Sequence, residues 1–242
     1  MPRAKKAAVE APVAPKVPSK PARAVLFELE NLSIAGREVI FAALKRELAA
    51  KGVKMAPFMF SWYCLVTCLK SGIGHLLSSV GKSRISKDKV FEDVRCGVKS
   101  GLLSGPVRPA PGVAKLIQRA KAEGVAVGAL SCLDAESAAL LVSRMGLDRD
   151  VPHVLPFACE ERSYPTADAW LRLARKMDLS PISCVAVATC NISCRAAVSC
   201  GMFCAVVPDA FTAFQDFGGA DFVADALNDD TVDRIFALLD GR

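Results

Sequence analysis

Four short apolar runs, interleaved with stretches of helical periodicity, constrain the fold of this 242-residue chain more than any other feature. They cover residues 125–130, 154–157, 185–188 and 203–207, too short for core helices and rich in Val. A run with no polar alternation makes a strand that is covered on both faces, as in a parallel sheet. Helices are predicted before and between these strands, over 112–122, 134–145, 167–177 and 193–200. A short strand near 222–223 and a helix over 229–239 close the chain. The body opens on another apolar run, AVLF at 24–27, followed by a helix over 35–51. That helix carries Val39, Ile40, Ala43, Leu44 and Leu48 on one face and stops at Gly52. Residues 58–101 read as helix without a strand, and Pro106, Pro109 and Pro111 mark the return to the sheet. The predicted fold is α/β: a Rossmann-like doubly wound parallel sheet with helices on both faces and a helical cap inserted after the first strand.

Charge divides the chain in two. Residues 1–23 hold six cations against one anion, with six Ala and five Pro, while the rest carries 25 basic and 24 acidic residues. Such a leader cannot bury enough apolar area to offset its ordering entropy, so disorder is expected there. It is a solubilising tail or a contact arm for RNA or another anionic partner. The near-neutral body argues against a folded cationic face for nucleic acid. The nearest approach to a membrane span, the uncharged stretch 55–69, falls short of the ~18 apolar residues that cross a bilayer. It reads as a buried helix, and no membrane span is expected. Ten cysteines in 242 residues are below disulfide-scaffold density, which points to free thiols in a reducing cytoplasm.

In open parallel sheets ligands sit beyond the carboxyl ends of the strands. Those ends carry FELENL at 27–32, LSC at 130–132, YPTADAW at 164–170 and VATCN at 187–191. In order and spacing, AVLFELENLS, PGVAKLIQRAKAEGVAVGALSC and YPTADAWLRLARKMDLSPISCVAVATCNISCRAAVSCGM resemble the haloacid dehalogenase-like (HAD) hydrolases. The branch they resemble is that of phosphoglycolate phosphatase and β-phosphoglucomutase, and the likeness runs from about residue 24 to 240. It implies an α/β core over 24–34 and 108–242 and a helical cap over 35–107. It also implies that Glu28 stands at the position of the nucleophilic aspartate and Glu30 at that of the general acid and base. Ser131 matches the second motif. Tyr164 falls where the family has a lysine, and Ala188 and Thr189 fall on its magnesium-holding acidic pair. The family's magnesium positions are thus Glu28, Glu30 and Thr189.

The departures fall on the chemistry. A glutamate is still a carboxylate, but its extra methylene shifts the oxygen by more than ~1 Å, a displacement that can cost on the order of 100-fold in rate. Magnesium prefers hard anionic ligands, and the fourth-motif carboxylate is missing. Without the lysine, little positive charge is left to stabilise a transferring phosphoryl group. The expectation is a HAD-like protein that has lost phosphatase activity and acts by binding or scaffolding, with no cofactor, or magnesium if activity survives. The alternatives are a slow phosphatase or phosphomutase using Glu28, and an adaptor on RNA working through the leader. Glu28 and Glu30, two apart on one strand, would share a face and repel unless a cation such as Arg162 or Arg195 intervened.

Other signals carry less. Cys190, Cys194, Cys200 and Cys204 lack the tight pairs of zinc sites and spread over a loop, a helix and a strand. Cys184 lies one strand length before them, and His75 and His153 are far apart. Gly81-Lys82-Ser83 lacks the upstream glycine of a phosphate-binding loop, since that position is Leu76. Phe58, Phe60, Trp62 and Tyr63 are either core of the cap or an exposed surface for a protein partner.

Overall fold

The computed structural model describes residues 23–103, 107–156 and 165–241. Tyr164, Arg162, Phe157 and leader residues 1–22 therefore lie outside the described residues. Six parallel strands form one sheet in the order β3-β2-β1-β4-β5-β6. They are β1 (Ala24–Glu28), β2 (Ala126–Ser131), β3 (His153–Pro156), β4 (Cys184–Ala188), β5 (Phe203–Val206) and β6 (Phe222–Val223). Central β1 pairs Phe27 with Ala129 of β2 on one side and with Val187 of β4 on the other. Alternate residues feed two cores: Val25 and Phe27 pack on one face, Ala24 and Leu26 on the other.

Helices follow the strands as periodicity predicts. α6 (Pro111–Glu123) starts on Pro111 and stops at Gly124, whose φ is 66°. α7 (Ala135–Arg144), α8 (Ala167–Lys176) and α10 (Asp229–Asp240) are N-capped by Asp134, Thr166 and Asn228, whose side chains accept backbone N–H groups. α9 (Asn191–Ser199) links β4 to β5. Helices α8 and α9 cover one face, while α6, α7 and α10 contribute to the other.

Between β1 and β2 lie α1 (Leu29–Ile34), α2 (Gly36–Ala49), α3 (Pro57–Met59) with a π-helical continuation (Phe60–Cys64), α4 (Leu69–Ser79) and α5 (Lys87–Leu103). Their apolar faces join the same core cluster as Val25 and Phe27, so the insert and that sheet face share one core. Three rings stitch the insert to the loop after β5. Phe60 meets Phe211 edge-on at 5.1 Å, and Phe41 lies 5.6 Å from Phe60 and 5.3 Å from Phe211. Ser61 donates to the Phe211 carbonyl at 2.9 Å.

Two expectations need correction. Residues 55–69 do not make one buried helix: the π-helical stretch ends at Cys64, α4 starts at Leu69, and Phe58, Trp62 and Val66 face solvent. Nor do Glu28 and Glu30 share a strand face, because β1 ends at Glu28 and the chain turns at once into α1.

The α1–α2 junction is tight. Ala35 takes a left-handed conformation (φ 52°, ψ 48°), and a Cβ on Gly36 would come within 2.7 Å of the Glu30 Cβ. Ala35→Gly is expected to raise the unfolding free energy by about 0.5 kcal/mol, because relief of left-handed strain exceeds the added chain entropy. Gly36→Ala should lower it by about 1–3 kcal/mol through overpacking. Urea unfolding of both variants measures the two changes, and equal signs would contradict this geometry.

Candidate functional site

The turn that forces Gly36 against Glu30 also decides where Arg37 goes. Its guanidinium enters the end of the sheet between β1 and β4. Nη2 donates to Thr189 Oγ1 at 2.8 Å and stands 3.5 Å from Glu28 Oε2. Nη1 donates to Asp209 Oδ2 at 2.7 Å and to the Thr189 carbonyl at 3.4 Å. Burial of this group works against its charge, but Cys190, Glu28 and Asp209 outweigh it and hold Arg37 above its ordinary value. Burial pushes the Cys190 thiol itself up to about 11, so at neutral pH it brings no charge to Arg37.

Glu28 has both oxygens engaged. Oε1 accepts the Thr189 backbone N–H at 2.8 Å. Oε2 accepts the Thr189 hydroxyl at 2.7 Å and the Asn31 amide at 2.8 Å. The surrounding loop is held just as firmly. Thr212 donates to the Thr189 carbonyl at 2.8 Å, and Asp209 Oδ1 accepts the Phe211 N–H at 2.9 Å.

Glu30 turns the other way, toward β2. Its Oε1 accepts the Ser131 hydroxyl, and Oε2 accepts the Cys132 N–H at 3.2 Å. Ser131 Oγ in turn accepts the Leu133 N–H at 3.1 Å. Burial raises the Glu30 carboxyl above its ordinary 4.5, against the pull of its Ser131 and Cys132 donors. Exposures of 1% for Glu28, 2% for Glu30, 0% for Ser131 and 2% for Thr189 put all four out of contact with solvent.

Five of the six family-position residues, Glu28, Glu30, Ser131, Ala188 and Thr189, thus lie at one end of the sheet, with Tyr164 outside the described residues. Glu28 and Thr189 touch, Glu30 and Ser131 touch, and the two pairs separate. These residues do not fit magnesium. The metal needs hard oxygens at ~2.0–2.1 Å in octahedral array with its own waters. Here the Glu28 oxygens already accept three hydrogen bonds, and a guanidinium sits beside one of them. Among the described residues no group of three or more His, Cys, Asp or Glu is arranged to hold a metal ion.

The neutralising cation is Arg37, not Arg195, which is exposed and stands 4.0 Å from Asp216. Arg37, Asn31, Asp209 and Thr212 were missed in the sequence. One signal was available: a cation in the first turn of a helix opposes the helix dipole and asks for a specific anionic partner. The aromatic run also divides. Phe60 is fully buried and Tyr63 half-buried against the core, whereas Phe58 (71%) and Trp62 (68%) are exposed. Cys190 caps α9, Cys194 lies in that helix, Cys200 ends it, and Cys204 sits on β5.

A six-stranded parallel sheet with a helical insert after β1, and acidic residues at its carboxyl end, is the architecture of the HAD-like hydrolases, and this chain has that fold. No family model matches it. Over 223 residues, 83% of this chain and 91% of the relative, it is 26% identical to Protein CbbY of Rhodobacter capsulatus. Over 131 residues, 53% of this chain, it is 30% identical to a CBBY-like protein of Arabidopsis thaliana, a stretch that spans 40% of that relative. Among solved structures, CbbY from Rhodobacter sphaeroides in complex with phosphate superposes with a TM-score of 0.71 at 20% identity, covering 88% of this chain and 99% of that one. A HAD hydrolase of family IA, variant 3, from Entamoeba histolytica gives 0.72 at 16% identity, covering 90% and 99%.

The Glu30 environment fixes a pH dependence. A carboxyl with a raised folded value holds more protons folded than unfolded, so its contribution to stability falls as pH climbs from 4.5 through that value. Glu30→Gln is expected to gain stability relative to wild type across that window. Urea midpoints of both proteins from acid to neutral pH measure the gain, and a difference flat with pH would contradict the environment described.

Proposed function

We propose that this HAD-fold protein has given up phosphoryl transfer and works by binding, as a scaffold or adaptor. The observation that carries the reading is the state of Glu28, the residue at the nucleophile position. Both its oxygens accept hydrogen bonds, its neighbour is a buried guanidinium, and it has no exposure to substrate. An attacking carboxylate needs a free lone pair in line with the phosphorus. Freeing one here breaks contacts to Thr189 or Asn31 and leaves the Arg37 charge less compensated.

Electrostatics supports the same reading. Phosphoryl transfer rests on positive charge preorganised around the equatorial oxygens. Arg37 is committed to carboxylates on two sides and cannot also serve a phosphate without leaving one of them. Glu30, with its raised carboxyl, keeps a proton more readily than an ordinary glutamate, which suits a general acid. It faces Ser131 and Cys132 rather than Glu28, however, so the two carboxyls are not set to act on one bond.

The binding surface in this proposal is the outer face of the insert. Phe58, Trp62 and Val66, spaced four residues apart, present apolar side chains to solvent there. Large exposed aromatic side chains grouped this way suit a protein partner.

The test is a turnover assay. A CbbY relative is known in complex with xylulose-(1,5)bisphosphate, which makes sugar phosphates the substrates to include. Purified full-length protein with magnesium is assayed on a panel of phosphate monoesters, with Glu28→Gln as the background. Wild-type turnover is expected to equal that of Glu28→Gln on every ester. Turnover at least tenfold above that background on any ester would overturn the reading.

A further inference from the structure

We propose that the sheet end at β1 and β4 is a cation site filled by the protein itself: the Arg37 guanidinium is the resident ion of a socket formed by Glu28, Thr189 and Asp209. This goes beyond the loss of catalysis proposed above. A protein without turnover can still bind magnesium, and the claim here is that a tethered cation occupies the place.

The socket is fixed by contacts that do not involve Arg37. The Thr189 N–H holds Glu28 Oε1, Asn31 and the Thr189 hydroxyl hold Oε2, and the Phe211 N–H holds Asp209 Oδ1. Thr212 orients the Thr189 carbonyl and also accepts the Asp209 N–H at 3.0 Å. Two carboxylates, a hydroxyl and a carbonyl thus converge on one point from β1, β4 and the loop after β5. Four oxygens around a positive centre are what a cation requires, and two carboxylates exceed the charge of one guanidinium by one. Glu28 and Thr189 are also two of the positions that the family resemblance assigns to magnesium.

Tethering explains why the arginine prevails. Arg37 enters from the first turn of α2, only nine residues after Glu28, and is steered by the left-handed turn at Ala35 and the close packing of Gly36. A tethered group competes with free ions at an effective concentration in the millimolar range or above. Its planar fork reaches Thr189 and Glu28 with one nitrogen and Asp209 with the other, a geometry that a spherical ion lacks.

Removing the side chain should therefore leave a vacant socket for a small cation, guanidinium-shaped by preference. Thermal unfolding is followed for the full chain as wild type, Arg37→Ala and Arg37→Ala/Glu28→Gln. Each is titrated with millimolar ethylguanidinium, ethylammonium, sodium or magnesium chloride at matched ionic strength. Arg37→Ala is expected to melt about 10 °C below wild type. Ethylguanidinium should recover at least half of that loss, and ethylammonium and sodium much less. Wild type and the double variant should respond to none of the salts. Magnesium stabilising Arg37→Ala alone would also support the socket. An Arg37→Ala response no larger than that of wild type would overturn the proposal. So would magnesium binding to wild type in calorimetry, whatever the phosphatase assay finds. If Arg37→Ala does not fold, Arg37→Met decides: unchanged stability of that variant overturns the proposal, and a loss that Arg37→Lys partly restores supports it.

Discussion

A buried guanidinium between two carboxylates is the interaction on which the end of this sheet depends. Taking ions out of water costs several kcal/mol each, and only close pairing with further hydrogen bonds offsets that cost. Arg37, Glu28 and Asp209 meet this condition through Thr189, which accepts from the arginine and donates to the glutamate with one hydroxyl. Removing Arg37 or Glu28 from such a set typically costs about 3–5 kcal/mol, because the remaining charge stays buried without its partner. The network joins the last residue of β1, the first residue after β4, the loop after β5 and the first turn of α2. Four segments spread between residues 28 and 209 are thus joined through one side chain.

The same network fixes the insert. α2 carries Arg37 into the sheet end and Phe41 into the ring cluster with Phe60 and Phe211. Aromatic pairs of this kind add about 0.5–1.5 kcal/mol each beyond the area they bury. The Ser61 bond to the Phe211 carbonyl fixes the π-helical stretch on the same loop that presents Asp209. Polar and aromatic contacts therefore act on residues 209–212 together. A substrate would need both sets opened before it could reach Glu28. The sheet end at Glu28 is thus closed by the chain's own residues.

Much of this was legible in the sequence. The apolar runs at 125–130, 185–188 and 203–207 have no polar face and no length for a helix, and they became β2, β4 and β5 within a residue or two. Glu28, Ser131 and Thr189 were placed at strand ends by the same pattern. What failed was local geometry without periodic signature. α1 has six residues, too few to show a helical repeat, so Glu30 read as a continuation of the strand. The aromatic run divides between core and surface for a related reason. In the π-helical stretch the backbone winds more widely than 3.6 residues per turn, and Phe60 turns inward while Trp62 turns out. The arginine was invisible for a different reason. Arg37 meets Thr189 and Asp209 across separations of 152 and 172 residues, and no spacing rule reaches that far.

The central claim is that Arg37 and Glu28 act as a coupled charge pair at the end of the sheet. A double-mutant cycle on urea unfolding tests it directly, using Arg37→Met, Glu28→Gln and the combination. A buried pair predicts that each single change destabilises and that the double costs less than their sum, with a coupling of at least ~1.5 kcal/mol. Effects additive to within about 0.5 kcal/mol would mean that the two residues do not stabilise one another, and would contradict the account.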